Sequence, residues 1–473
     1  MQFPHISASA IVGGGRLSSV LIDFLIMTYL MRQLGPEPFG LIAMVWALIV
    51  ALSVLKDAGA GESLVSDQAF SAQKVGAATL IAGGLGLLLF LLVLLLEPFV
   101  ISFYDNEELR MIWLLAGGMA AISCMGSIPQ SLAQREEKFG LIAWSPVLGK
   151  LIAAALVLWM LTINIDFGYW PILAYSIVSG TVGLLTIWLL VSPHMKYPSL
   201  DDLKDILHYS KGVVVFSLLN VLNRNADNII IGRFLGEQAL GLYMLSYRIL
   251  LYPLKEFGGI VQTIAFPRLA KNASNLKLVG VGLADLMRDV ARMTTPFCLG
   301  AAVAAPTVIV VIFGEAWMGA LVSFQVLALV GVFQAPFAQM GMAYTVSRKT
   351  EVMGKWAMWT TPLIIASFFA GLPWGIAGVA IAYACVSVML IYPMCMVAGK
   401  VLGVPPWLLM RGPLQGILYG SLASLPMLCC YFVALAMQSS QVLTLLLVMG
   451  VGALTEYLIY RRTMYLRSIE NSY

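Results

Sequence analysis

The chain has 473 residues, 60% of them hydrophobic and 11% charged. Soluble proteins carry about 25% charged residues, so this composition, with a mean hydropathy of +0.89, excludes a string of soluble domains. The net charge of +4 is small and implies no nucleic-acid partner; where the basic residues lie matters more than their sum.

Apolar runs long enough to cross ~30 Å of hydrocarbon predict an all-α, polytopic membrane protein with about 14 transmembrane helices. The expected spans are 10–32, 41–63, 75–101, 109–132, 139–161, 169–192, 209–234, 238–265, 290–313, 317–343, 353–372, 374–397, 413–436 and 440–460. The N-terminal stretch MQFPHISASAIVGGG has neither a basic n-region nor a cleavage site, so the first span is expected to stay. A break is expected at Gly371-Leu372-Pro373. Between spans 6 and 7, Ser199 reads as a helix cap ahead of the acidic pair Asp201 and Asp202. Residues 268–289 mix Leu and Val with Lys and Arg, as an interfacial helix would. The six cysteines (Cys124, Cys298, Cys385, Cys395, Cys429, Cys430) fall in apolar runs without metal or redox spacing and read as small packing residues.

Basic residues set the orientation. With the N-terminus in the cytoplasm, nineteen of the 28 fall in the even-numbered loops and the C-terminal tail. Only Arg32, Arg110 and Arg233 fall on the other side, and six lie inside spans. Both termini are therefore expected to be cytoplasmic.

The chain contains a repeat. Arg32-Gln33-Leu34-Gly35-Pro36-Glu37-Pro38-Phe39-Gly40-Leu41 matches Arg233-Phe234-Leu235-Gly236-Glu237-Gln238-Ala239-Leu240-Gly241-Leu242 as R-x-L-G-x3-[FL]-G-L, 201 residues on. Leu55-Lys56-Asp57-Ala58-Gly59 matches Leu254-Lys255-Glu256-Phe257-Gly258, 199 residues on. Six spans separate the copies, and an even number preserves direction, so the halves are expected to be parallel repeats. This predicts an N-lobe at 1–195 (spans 1–6), a C-lobe at 196–400 (spans 7–12) with cytoplasmic linker helices, and two appended spans with a cytoplasmic tail at 401–473.

The stretch from Asn220 to Gly258 is the most polar of the apolar region. Asn220, Asn223, Arg224, Asp227 and Asn228 share one helical face. After the turn Leu235-Gly236-Glu237, Arg248, Tyr252 and Lys255 share another. An ionisable side chain at bilayer depth costs roughly 2.5–3.5 kcal/mol, so such groups face a bundle interior or a wet cavity. The pattern reads as two antiparallel helices lining a net-cationic cavity.

The segment DNIIIGRFLGEQALGLYMLSYRI, followed by Ile264-Ala265-Phe266-Pro267-Arg268-Leu269-Ala270, resembles helices seven and eight of the polysaccharide transporter family. These are the Wzx-type flippases of the multidrug/oligosaccharidyl-lipid/polysaccharide (MOP) exporter superfamily. The RQLGPEPFGLIAM turn is similar to that family's first hairpin. The resemblance implies the MOP exporter fold. It also implies flipping of an undecaprenyl-diphosphate-linked oligosaccharide across a bacterial inner membrane, for O-antigen, capsule or exopolysaccharide. It implies no enzyme activity and no cofactor, with coupling to H⁺ or Na⁺ left open. The implied partners are the polyprenyl-linked cargo, membrane lipids, and the polymerase and chain-length proteins of the pathway.

With such a cargo, Arg16, Lys56, Arg224, Arg248 and Lys255 on spans 1, 2, 7 and 8 are candidates for the diphosphate; arginine pairs with phosphate through its planar fork. The alternative is internal ion pairing, Arg224 with Asp227, Arg16 with Asp23 and Lys255 with Glu256, with snorkelling for the lysines. Lys150 on span 5 is either a cavity residue or the partner of Asp23. Asp23 and Asp227 are candidates for ion coupling. Asn220, Asn223, Asn225 and Asn228 offer oxygens for an ion or hydrogen bonds for sugar hydroxyls; helix–helix glue is the alternative. A multidrug or cation antiporter of the same superfamily would show twelve spans and an acidic cavity. A membrane enzyme of the glycan pathway would need a large outer loop or a cytosolic domain, and neither is present in the sequence.

Overall fold

The structure, a computed structural model, describes residues 8–53, 61, 64, 71–163 and 167–470. All regular elements among them are helical. In chain order they are α1 (Ala8–Leu34), α2 (Pro36–Leu52), α3 (Ala72–Tyr104), α4 (Leu109–Arg135), α5 (Phe139–Thr162) and α6 (Trp170–Val191). The stretch Leu200–Lys271 turns at Gly236 into α7 (200–235) and α8 (237–271). There follow α9 (Leu276–Phe313), α10 (Glu315–Val346), α11 (Thr350–Gly371), α12 (375–402), α13 (Pro406–Ala436) and α14 (Gln441–Glu470). Among the described residues nine helical stretches are long and apolar enough to cross a membrane, one of them being Thr350–Leu402 taken whole. That stretch breaks at a 3₁₀ turn, Leu372–Trp374, followed by Gly375 at φ 65°, where the sequence places a break.

One expectation is overturned. The 268–289 segment is not an interfacial helix but parts of two longer ones. α8 runs on to Lys271, a short turn follows, and Asn275 caps α9 by accepting the Leu278 amide. α9 then continues through Val308 without interruption. Val279, Leu283 and Met287, one helical face, are fully buried in a cluster with Leu402 and Leu409. Burial of that stripe, rather than a lipid surface, accounts for the amphipathic pattern.

By its contacts the chain falls into two units, Met1–Gly241 and Leu242–Tyr473. In the first, one core gathers residues of α3, α4 and α6, including Val75, Ile128 and Ile187. In the second, Gly412, Gly416 and Gly420 let α13 lie directly on the α9 backbone; a Cβ at Gly416 would stand 2.2 Å from the Arg288 carbonyl. This small-xxx-small spacing is how membrane helices approach closely without a hydrophobic drive between them.

The backbone repeats as the sequence does. Gly35 (φ 73°, ψ −173°) starts α2, and Gly236 (φ 84°, ψ 179°) starts α8. Glu137 (φ 55°) and Arg348 (φ 54°) turn the chain after α4 and α10. Their hydrogen bonds are the same: Lys138 to Ala133 and Lys349 to Tyr344, with Glu137 to Gln134 and Arg348 to Thr345. Ser192 after α6 donates its amide to Trp188, as Gly403 after α12 donates to Gly399. The last two pairs are each 211 residues apart, and sequence identity does not reveal them.

Candidate functional site

The polar centre that the side chains define lies in the first unit, on α1, α5 and α6. α1 and α5 approach at Gly15, where a Cβ would stand 2.6 Å from the Ala143 carbonyl. α5 and α6 approach at Gly149, where a Cβ would stand 2.3 Å from the Ser179 carbonyl. These contacts carry Asp23, Lys150 and Tyr175 to one point. The Lys150 ammonium is 2.7 Å from Asp23 Oδ2 and donates also to the Ser19 carbonyl at 3.3 Å. The Tyr175 hydroxyl donates to Asp23 Oδ1 at 2.8 Å. Moving from Gly15 to Asp23 along α1 matches moving from Ala143 to Lys150 along α5. The two helices therefore run in one direction, as spans 1 and 5 must.

Asp23 and Lys150 lie near the middle of their helices. The pair is charge-assisted and short, the kind that outweighs a neutral hydrogen bond. It is not sealed: the Lys150 side chain is 20% exposed and that of Asp23 is 36%. Tyr175 is buried at 2%. Of the two readings of Lys150, the structure therefore shows the pair with Asp23. Both oxygens of Asp23 are engaged by Lys150 and Tyr175, whereas the expected intrahelical partner, Arg16, is an exposed residue two turns earlier on α1.

Asp227 on α7 is buried at 5%, and its Oδ1 accepts the Asn228 backbone amide at 2.9 Å. Asp23 lies twelve residues before Gly35, but Asp227 lies nine before Gly236. Both helices run unbroken to their glycines, so the residue in register with Asp23 is Arg224. The two carboxylates are displaced by three residues, about 4.5 Å along the helix, rather than equivalent. Arg248 is exposed on α8, in the second unit. Lys56 lies outside the described residues, as do the side chains of Asn220, Asn223, Arg224 and Lys255.

Sequence reasoning missed Tyr175, and a signal was present. Leu173-Ala174-Tyr175-Ser176-Ile177-Val178-Ser179 aligns with Ile381-Ala382-Tyr383-Ala384-Cys385-Val386-Ser387, 208 residues on. A tyrosine kept in step between two apolar helices has a hydroxyl that needs a partner. In the second unit Tyr383 accepts from the Gln334 side chain of α10, so the equivalent hydroxyls serve different polar centres. The first centre holds a lysine–aspartate pair, and the second joins a hydroxyl to a side-chain amide. A carboxylate that holds a partly exposed lysine is suited to exchange: an anion with more oxygens can take the lysine, and the carboxylate is then open to a proton or a small cation.

Residues 29–322 match the polysaccharide biosynthesis protein family. The chain is 26% identical to the teichuronic acid biosynthesis protein TuaB of Bacillus subtilis strain 168, over 64% of this chain and 63% of that protein. The matched region thus spans somewhat less than two thirds of the Bacillus relative. It is 23% identical to the lipopolysaccharide biosynthesis protein WzxC of Escherichia coli K12, over 73% of this chain and 70% of that protein. Among solved structures, the lipid II flippase MurJ in an inward closed conformation superposes with a TM-score of 0.71 at 15% identity, covering 97% of this chain and 99% of that one. That likeness is one of fold.

Proposed function

The chain belongs to the polysaccharide biosynthesis protein family, and from that membership we propose that it is a flippase. It carries undecaprenyl-diphosphate-linked oligosaccharides across the bacterial inner membrane for surface polysaccharide assembly. The observation that carries the reading is a family match over more than half the chain, on a multi-pass helical protein whose first unit holds ionisable groups at mid-helix depth.

The glycan and diphosphate need a wet, lined path, while the lipid tail stays in the bilayer. The protein works by alternating access of two six-span lobes, 1–195 and 196–400, with 401–473 appended; it has fourteen spans and both termini in the cytoplasm. Arg16, Lys56, Lys150, Arg224, Arg248 and Lys255 form the cationic lining, and Asn220 and Asn223 add polar contacts to the sugars. Asp23 and Asp227 are the ion-coupling groups. The cargo diphosphate competes with Asp23 for Lys150. Once Lys150 turns to phosphate, Asp23 takes H⁺ or Na⁺, which links cargo occupancy to an ion gradient. The sequence contains no GxxxxGK[ST], and the cycle is driven by an ion gradient, the membrane potential or removal of product. A polymerase and chain-length proteins consume the product.

Reconstitution in liposomes tests the reading. The protein should flip an undecaprenyl-diphosphate-linked oligosaccharide and respond to an imposed pH or Na⁺ gradient. Asp227→Asn should still bind cargo but lose the response. Export of cationic dyes with no lipid flipping overturns the reading in favour of an antiporter.

A further inference from the structure

In the second unit the turn between α12 and α13 folds onto the start of α9. Gly403 closes α12 at φ 69°, and the Val404 amide donates to the Gly399 carbonyl at 3.0 Å. A Cβ at Gly280 would stand 2.9 Å from the Val404 side chain, and one at Gly403 would stand 3.8 Å from both Cγ and Cε of Lys277. The Lys277 stem therefore lies along the turn. Gly412 rests on the Ala284 carbonyl, two turns farther along α9, so α13 leaves the turn beside α9 and in the same direction. This end of the unit is cationic and uncompensated. Lys277, Lys400 and Arg411 are exposed, and no ion pair among the described residues involves them. Residues 257–284 and 352–455 contain no Asp or Glu. The next carboxylates along α9, Asp285 and Asp289, lie 3.0 and 3.7 Å from Arg288 of the same helix. Trp407, on the first turn of α13, is 61% exposed. Arg411, Leu414 and Leu418 follow it at i+4, i+7 and i+11 on one exposed face.

We propose that Lys277, Lys400 and Arg411 seat the phosphodiester of one anionic phospholipid, held in the leaflet that borders the α12–α13 turn. The three cations come from three helices and have long, flexible stems, so they can converge on one phosphate from several sides. Arg411 supplies a planar fork for two unesterified oxygens, and the lysines act as point charges. A cation beside an anionic lipid surface contributes about 1 kcal/mol, or about fivefold in affinity. A zwitterionic lipid brings its own cation to the phosphate and gains less. The indole of Trp407 suits the headgroup level, and Leu414 and Leu418 below it offer apolar surface to the acyl chains. A soluble phosphate would use the charges and leave that apolar surface idle. The bound lipid is structural rather than cargo: its phosphate joins α13 to α9 and α12 within one unit.

The test is native mass spectrometry of the full chain in detergent, titrated with phosphatidylglycerol or phosphatidylcholine. One phosphatidylglycerol should bind about a hundredfold more tightly than phosphatidylcholine, at about fivefold for each of the three cations. Lys277→Gln, Lys400→Gln and Arg411→Gln together should erase that preference. Arg348→Gln, Lys349→Gln and Lys355→Gln remove the same charge from the α10–α11 turn, where Glu351 stands one turn from Lys355, and should keep it. Should the first triple variant not fold, Lys400→Gln alone should lower the preference about fivefold. Equal binding of both lipids by the native chain overturns the site. An equal loss in both triple variants overturns it too, since the general positive field then suffices. Displacement of the lipid by glycerol 3-phosphate assigns the cations to a soluble phosphate, and displacement by an equal concentration of undecaprenyl diphosphate assigns them to cargo; either result overturns the resident lipid. A protein that shows the preference but flips no lipid-linked oligosaccharide keeps this site and loses the flippase reading.

Discussion

Removing the Lys150 charge separates a structural ion pair from a cargo site. In Lys150→Met, Asp23 loses its 2.7 Å partner and keeps the Tyr175 hydroxyl. A sealed ion pair costs about 3–5 kcal/mol to break from one side. Here the carboxylate is 36% exposed, so water screens the remainder and the cost is about 1–2 kcal/mol. Lys150→Met should therefore unfold a few degrees earlier, read by size-exclusion chromatography of heated, detergent-solubilised protein. Asp23→Asn with Lys150→Met leaves no unpaired charge and should recover most of that loss. Flipping should not recover. A lost charge-assisted bond to phosphate is worth about 1.5–3 kcal/mol, or roughly 10- to 150-fold in rate. The double variant should be stable and slow. A double variant that is stable and flips at the native rate refutes the cargo role and leaves Asp23–Lys150 as a joint between α1 and α5.

Three further outcomes are expected. Single cysteines at Asn106 and Gln238 should label from outside intact cells, and those at Asn272 and Ser468 only after permeabilisation; Ser468 labelling from outside removes the proposed orientation. Arg224→Ala and Arg248→Ala should abolish glycan export at normal protein levels, with partial rescue by lysine, which restores charge without the fork; full export in both alanine variants favours internal pairing. Tyr175→Phe removes one hydrogen bond to Asp23, worth about 1 kcal/mol, and should slow flipping about fivefold while altering its dependence on the imposed gradient; loss of stability with an unchanged gradient response marks Tyr175 as packing only.

Much of this protein is written in local pattern. Hydropathy identifies a membrane protein because every backbone polar group in hydrocarbon must find its partner within a helix. The glycine turns at 35 and 236 are legible because few other residues tolerate their φ. The repeat is legible where side chains are constrained, and invisible at Glu137 and Arg348, where only the backbone turn is shared. The tertiary structure decided the rest. Whether 276–289 lies on a membrane surface or on a core depends on which elements flank it, and periodicity is the same for both. Lys150 and Asp23 stand 127 residues apart in the chain. Helical period places each on a face, but only the close approaches at Gly15 and Gly149 bring those faces together. The close approach of Gly40 to the Glu237 carbonyl, and of Gly241 to the Pro36 carbonyl, has the same origin: sequence records that both turns carry glycine, and packing alone records that each lies against the other.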